Sequence, residues 1–164
     1  MIETALIIAG EPAETAEMLH ALDALRARAH MMAVAAADPQ TRADIAKRFD
    51  IPAESQFPDA NELLEKTRTD MVVVCAPPAL RAGIILACAK AGVHIAAPAP
   101  VAQSDEDARH IRDCLTRNIV RMTALARGEK HPVRAADRPS ALISDLAAFI
   151  EYLETGVGDY PGKE

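Results

Sequence analysis

The residues best placed to do chemistry cluster at the ends of apolar runs. The first is Leu6-Ile7-Ile8-Ala9-Gly10-Glu11-Pro12-Ala13-Glu14, where a short apolar run enters a turn and a helix begins. A turn of that kind can hold a phosphate, because backbone N–H groups and the helix dipole both point at it. Glycine-rich turns do so best, yet this one has Gly10 alone and adds Glu11 and Glu14. A carboxylate ~4–5 Å from a phosphate costs about 1–4 kcal/mol, depending on screening. The second candidate is Asp38, at the end of another apolar run and just before Pro39. An aspartate there can cap the helix that follows. The third is Arg81, four residues after Pro77, where a guanidinium could meet a phosphate or carboxylate or simply lie in solvent in the first turns of a helix.

Other chemistries find little support. The five histidines, His20, His30, His94, His110 and His131, form no metal-binding spacing with one another or with cysteines and carboxylates, so no metal is expected. His131 lies with Lys130 and Arg134 in a small basic cluster, read as exposed linker. Cys75, Cys88 and Cys114 are far apart and read as small core residues. No nucleophile-elbow or P-loop pattern occurs.

These residues need a scaffold, and the periodicity describes one. Apolar runs at Thr4 to Ala9, Met31 to Ala37, Met71 to Ala76, Val93 to Ala97 and Ile119 to Leu125 read as buried strands. Helical patterns lie between them. Ala16, Leu19, Leu22 and Leu25 recur at helical spacing after Pro12; Thr41 to Phe49 is amphipathic; Asn61 to Lys66 is short. Leu80 to Ala91 ends at Gly92, and Ser104 caps a helix reaching about Arg117. Strands alternating with helices imply a parallel sheet built from βαβ units. The expectation is a three-layer α/β domain with a doubly wound parallel sheet over residues 1–125, a linker over 126–139, a closing helix over 140–156 and a mobile tail over 157–164. The closing helix would turn Leu142, Leu146, Phe149, Ile150 and Leu153 to one face.

Composition bounds the partners. The net charge of −6 argues against nucleic acid or an anionic membrane. Half of the 164 residues are apolar, yet no run approaches the ~18 residues of a membrane span. With no basic start to an apolar leader, the expectation is a cytoplasmic protein.

By Ala97 the pattern becomes specific. The segments "MAVAAADPQTRADIAKRFDIP" and "FPDANELLEKTRTDMVVVCAPPALRAGIILACAKAGVHIAAPAPVAQSDEDARHI" resemble the N-terminal NAD(P)-binding Rossmann domain of the Gfo/Idh/MocA oxidoreductases, over roughly residues 3–125. Asp38-Pro39, the strand from Asp70 to Pro78 and the helix end before His94 carry the resemblance. It implies a cofactor site passing Gly10, Asp38, Pro77 and Arg81, with Asp38 as the acid that holds the adenosine ribose hydroxyls, although farther from Gly10 than the usual ~20 residues, and Arg81 where the family often has a histidine near the nicotinamide. It also exposes departures. The family's three turn glycines fall on Ala9, Glu11 and Glu14, and its Glu-Lys-Pro falls on Pro98-Ala99-Pro100. Alanine cannot move the hydroxyl proton that accompanies hydride transfer. The family's substrate domain is not apparent, and Asp145 with Phe149 has the family's spacing without its histidine. The resulting expectation is a catalytically silent Rossmann module, with no cofactor or else NAD(P), acting in assembly or regulation as a dimer. Ile119, Val120 and Met122 would supply an apolar contact. The alternatives are a small-nucleotide binder and an oxidoreductase completed by a partner chain.

Overall fold

Strand β1 (Ile2–Ile8) alternates its side chains between two cores, and that alternation organises the whole domain. The computed structural model describes residues 1–10, 15–125 and 138–156. Leu6 and Ile8 face one core, shared with helices α1 (Thr15–Ala24), α2 (Pro39–Phe49) and α6 (Arg138–Thr155). Ala5 and Ile7 face the other, shared with α3 (Ala60–Lys66), α4 (Pro78–Lys90) and α5 (Asp105–Asn118). Strands β2 (Ala29–Ala36), β3 (Gln56–Phe57), β4 (Met71–Cys75), β5 (His94–Pro98) and β6 (Met122–Leu125) complete a parallel sheet in the order β3-β2-β1-β4-β5-β6. The chain steps outward on one side of β1 and then crosses to β4 on the other. The carboxyl ends of β1 and β4 therefore diverge into the crevice where doubly wound folds bind ligands.

Local chemistry fixes the helix ends. Ser104 Oγ accepts the Asp107 N–H at 3.1 Å, and Asp105, Glu106 and Asp107 complement the dipole in the first turn of α5. Pro78 opens α4, where a missing N–H is harmless. Gly92, at φ +76°, follows that helix as its sequence implies. On α6, Leu142, Leu146, Phe149 and Ile150 are buried and Leu153 packs at the core's edge, so this helix closes the domain against α1 and β6.

Four details differ from the sequence expectation. The sheet has a sixth strand, the two-residue β3, pairing Val34 with Gln56 and Ala35 with Phe57; two residues carry no periodicity to read. The last strand begins at Met122, because Ile119 caps α5 in the left-handed region (φ 57°). Helix α1 buries Met18, Ala21 and Leu22 and packs Leu19 on the same core, with Leu25 buried just beyond its end; only Ala16 departs from the expected face, being exposed. The closing helix starts at Arg138, inside the segment read as linker. Residues 126–137 and 157–164 lie outside the described residues.

Candidate nucleotide site

At the carboxyl edge of the sheet, the Ala9 N–H donates to Cys75 O at 3.0 Å and carries the β1 ladder one residue past the strand. Gly10 then turns with φ +64°. A Cβ there would lie 3.1 Å from Pro77 Cγ and 3.3 Å from Leu80 Cδ1. Glycine is thus required twice, by backbone conformation and by the approach of the β4–α4 turn. Pro77 contributes as a wall against Gly10. Glu11 and Glu14, whose charges weigh against a phosphate in the sequence, lie outside the described residues, as do Lys130, His131 and Arg134.

Beside this turn opens a cavity of about 400 Å³. Its floor is Ile7 to Gly10, one wall is Leu80, Gly83, Ile84 and Ala87 of α4, and the opposite rim is Pro58 to Asn61 with Ala37. Leu80 is 46% exposed on that wall, an unusual position for a large apolar side chain. Polar groups are few and gathered at the start of α3. Asp59 caps that helix, its Oδ1 accepting the Glu62 N–H at 2.9 Å, and Asn61 presents an exposed amide. An apolar bay with a few polar groups on one rim is what small-ligand sites look like.

Asp38 follows Ala37 at the cavity edge. It caps α2: Oδ2 accepts the Thr41 N–H at 2.8 Å and the Thr41 hydroxyl at 2.6 Å. The Thr41 hydroxyl, helped by the Thr41 and Gln40 N–H groups and by the charge of Arg42, holds the Asp38 carboxyl below the usual carboxylate range. The group is anionic at neutral pH and exposed. Arg42 Nη1 donates to Ala36 O at 2.6 Å, at the carboxyl end of β2.

Across the crevice, the β4–β5 side is closed. Arg81 is 0% exposed, which corrects the expectation of a solvent-facing guanidinium. Its Nε donates to Ala76 O at 2.8 Å and its Nη1 to Pro100 O at 2.9 Å, so one side chain ties the end of β4 to the loop after β5. An arginine is buried here because backbone carbonyls at two strand ends need donors. Ala99 precedes Pro100 through a cis peptide, and its N–H donates to Leu125 O at 3.2 Å. A methyl group therefore stands where the family resemblance expects a lysine, in a loop whose Ala99 N–H and Pro100 O are both engaged. Gly10 lines the bay, Pro77 packs against Gly10 and Asp38 follows the lining residue Ala37, whereas Arg81 and Ala99 belong to the clasp beside it.

The remaining candidates are structural. His94 Nδ1 accepts the Arg121 N–H at 3.0 Å at the opposite edge of the sheet. Cys75, Cys88 and Cys114 are buried and unlinked, and burial pushes the Cys88 thiol up to about 12. Phe149 lies in the core. Among the described residues, no group of three His, Cys, Asp or Glu side chains is placed to hold a metal, and no helix is long and apolar enough to cross a membrane. The apolar contact expected at Ile119, Val120 and Met122 shrinks to Ile119, since Val120 is buried and Met122 packs partly on the core. The sequence reading missed Leu80, Gly83, Asp59 and Asn61; of these only Gly83, a lone glycine inside a helical pattern, carried a visible signal.

Sheet order, crevice and positive-φ glycine turn together define a Rossmann-type domain. The model of the Gfo/Idh/MocA oxidoreductase family, NAD-binding Rossmann fold, matches residues 6–125, and the chain belongs to that family. A levoglucosan dehydrogenase from Pseudarthrobacter phenanthrenivorans is 32% identical over 92 residues, 56% of this chain and 23% of that protein. The WlbA dehydrogenase of Chromobacterium violaceum, solved with NADH and UDP-GlcNAcA, superposes with a TM-score of 0.68 at 20% identity, over 92% of this chain and 40% of that one. An oxidoreductase from Agrobacterium radiobacter, solved with NAD+, L-tartaric acid and magnesium, gives 0.65 at 20% identity, over 75% of this chain and 34% of that one. The chain thus spans less than half the length of each of these proteins.

Proposed function

We propose that this chain is a nucleotide-binding Rossmann module that lacks proton-transfer chemistry of its own and acts in assembly or regulation. The ligand is the adenosine part of NAD(P) or a smaller adenine nucleotide. The observation that carries this reading is the cavity of about 400 Å³ beside Gly10, lined at the end of β2 by Ala37, the residue before Asp38. Its position fits the first mononucleotide half of a doubly wound fold, with the base in the bay and the ribose hydroxyls at the acid after β2. The anionic Asp38 favours a ribose with free hydroxyls over one carrying a 2′-phosphate, so NAD is preferred to NADP.

The second half fits a dinucleotide less well. NAD, when bound, supplies or accepts a hydride. This chain's residues there hold backbone: Arg81 is tied to Ala76 O and Pro100 O, and Ala99 has no proton to move. A second reading, a dehydrogenase whose substrate-facing groups come from elsewhere, draws on the family match over residues 6–125. It requires a proton carrier that these positions do not provide.

The test is a thermal melt with AMP, NADH and NADPH. At 1 mM ligand and micromolar affinity the stabilisation is about 4 kcal/mol. AMP and NADH should shift the midpoint more than NADPH; no shift with any of them sinks the proposal. Turnover of a sugar or polyol with NAD by the chain alone would sink its silent part.

A further inference from the structure

Acidic side chains outnumber Lys and Arg in this chain, 24 to 18, yet one groove is lined by cationic groups and by no acid. It lies between α4 and α5 and holds a cavity of about 270 Å³. Leu86 and Lys90 come from α4; His110, Cys114, Arg117 and Asn118 come from α5, at spacings that share one face of that helix. The floor is neutral and satisfied: Cys114 Sγ donates to Leu86 O at 4.0 Å, and Asn118 Nδ2 donates to Cys114 O at 2.8 Å. Lys90, His110 and Arg117 stand exposed around it. Among the described residues none of these three joins an ion pair, whereas Arg26, Arg28, Arg48 and Lys66 each do. Helix dipoles account for part of the pattern, since Lys90 and Arg117 occupy last turns. His110 lies nearer the start of α5, beyond the reach of that effect. The helix-end carbonyls do not use these cations either. Ala87, Cys88 and Ala89 O accept from the Ala91, Val93 and Gly92 N–H groups, and Leu115 and Thr116 O from those of Val120 and Ile119.

We infer that the α4–α5 groove is a binding site for a small polyanion, a carboxylate or phosphate compound. Its charges meet Lys90, His110 and Arg117, and its carbon skeleton lies on Leu86 and Cys114. Gathering donors of one sign around a cavity is unfavourable until an anion offsets it. The three donors are complementary in kind. Arg117 can give an oxyanion two parallel N–H bonds, Lys90 acts as a point charge, and the His110 ring carries an N–H donor in either protonation state. The site is separate from the nucleotide bay. Helix α4 turns Leu80, Gly83, Ile84 and Ala87 to the bay and Leu86 and Lys90 to the groove.

The experiment is calorimetric titration of citrate and of glycerol 3-phosphate at constant ionic strength. Titration is preferred to melting because such anions also stabilise proteins generally, by exclusion from the surface. The proteins are the wild type, Lys90→Gln with Arg117→Gln, His110→Gln, and a control, Arg109→Gln with Arg112→Gln. The control removes the same charge from exposed positions of α5 that do not line the groove. Glutamine suits an exposed helix position, so every variant should fold. At least one anion should bind the wild type with a Kd below about 1 mM, and the tighter of the two names the oxyanion. Affinity should fall roughly tenfold or more in the Lys90–Arg117 pair variant and a few-fold in His110→Gln, and stay near the wild-type value in the control. If neither anion binds, or if the Lys90–Arg117 variant binds as tightly as the wild type, the inference is overturned. Equal weakening in the control overturns it as well, because the effect would then be the general field of the surface.

Discussion

The two sides of the carboxyl-edge crevice are built on opposite plans. On the β1–β2 side, strand ends and helix starts stand apart and leave a bay of about 400 Å³ with an apolar wall. On the β4–β5 side, a single buried guanidinium joins the end of one strand to the loop after the next. The first arrangement leaves surface unsatisfied in a shape that a ligand completes. The second satisfies its own groups and asks for nothing. A family position that looks functional in sequence can therefore be structural, and the difference is read from what each side chain already holds.

The largest effect expected is at the closed side. Arg81→Met keeps much of the apolar stem but removes the donors to the buried Ala76 O and to Pro100 O. Losing two such bonds from a buried side chain should lower stability by about 3 kcal/mol, measured by urea unfolding. Melt shifts with AMP should persist wherever the variant is folded. A variant as stable as the wild type would mean that the clasp is incidental, and the contrast between the two sides would lose its basis.

Asp38→Asn probes the open side and should act on binding alone. Asparagine caps helices about as well as aspartate, so the urea midpoint should stay near the wild-type value. A charged acceptor for the ribose hydroxyls is lost, and AMP affinity should fall roughly tenfold. Unchanged AMP affinity would make Asp38 a cap and nothing more, which its bonds to Thr41 already account for.

Much of this was legible in the sequence, because the signals are local. Asp38, Ser104 and Pro78 announce helix starts through their own chemistry, and each stands at one. The runs around Val72 and Ile95 announce strands buried on both faces. What escaped depended on distant partners. Arg81 reads as an exposed helix residue until Pro100 arrives from another loop and its carbonyl accepts a hydrogen bond from Nη1. Strand β3 exists because Val34 and Ala35 offer it a ladder. Ile119 looks like the start of a strand, yet α5 needs a left-handed residue to end on. The bay was invisible because Pro58 to Asn61 and Leu80 to Ala87 are brought together only by the crossover from β3 to β4.

The closed side extends down to the opposite edge of the sheet, where a smaller effect follows pH. Desolvation, then the charge of Arg121, holds the half-buried His94 below its ordinary value, while Asp70 opposes. The fold therefore prefers the neutral ring, whose Nδ1 accepts the Arg121 N–H. The unfolded chain takes up the proton near pH 6.5, so this stability is full above that pH and is lost as the pH falls below it. Arg121 also lies 5.5 Å from the Tyr152 ring, so loosening here reaches α6. His94→Gln keeps an acceptor and cannot titrate. Urea midpoints measured from pH 7.5 down to 5 should fall less steeply in that variant.

The smallest effect should run the other way. Ile119 is a β-branched residue at φ 57° and is 80% exposed. Its side chain packs on little, while its backbone N–H donates to the carbonyls at the end of α5. Glycine fits that conformation without the steric penalty, so Ile119→Gly should raise stability by about 1 kcal/mol despite the greater freedom of its unfolded chain. The same variant removes the apolar group left of the dimer contact expected from the sequence. Sedimentation velocity on both proteins decides its use. If the wild type is dimeric and Ile119→Gly monomeric, the strain at Ile119 is retained for self-association, and the closed side has a surface function after all. If both sediment alike, the residue is a tolerated imperfection, and of the two sides of the crevice the open bay remains the one suited to bind.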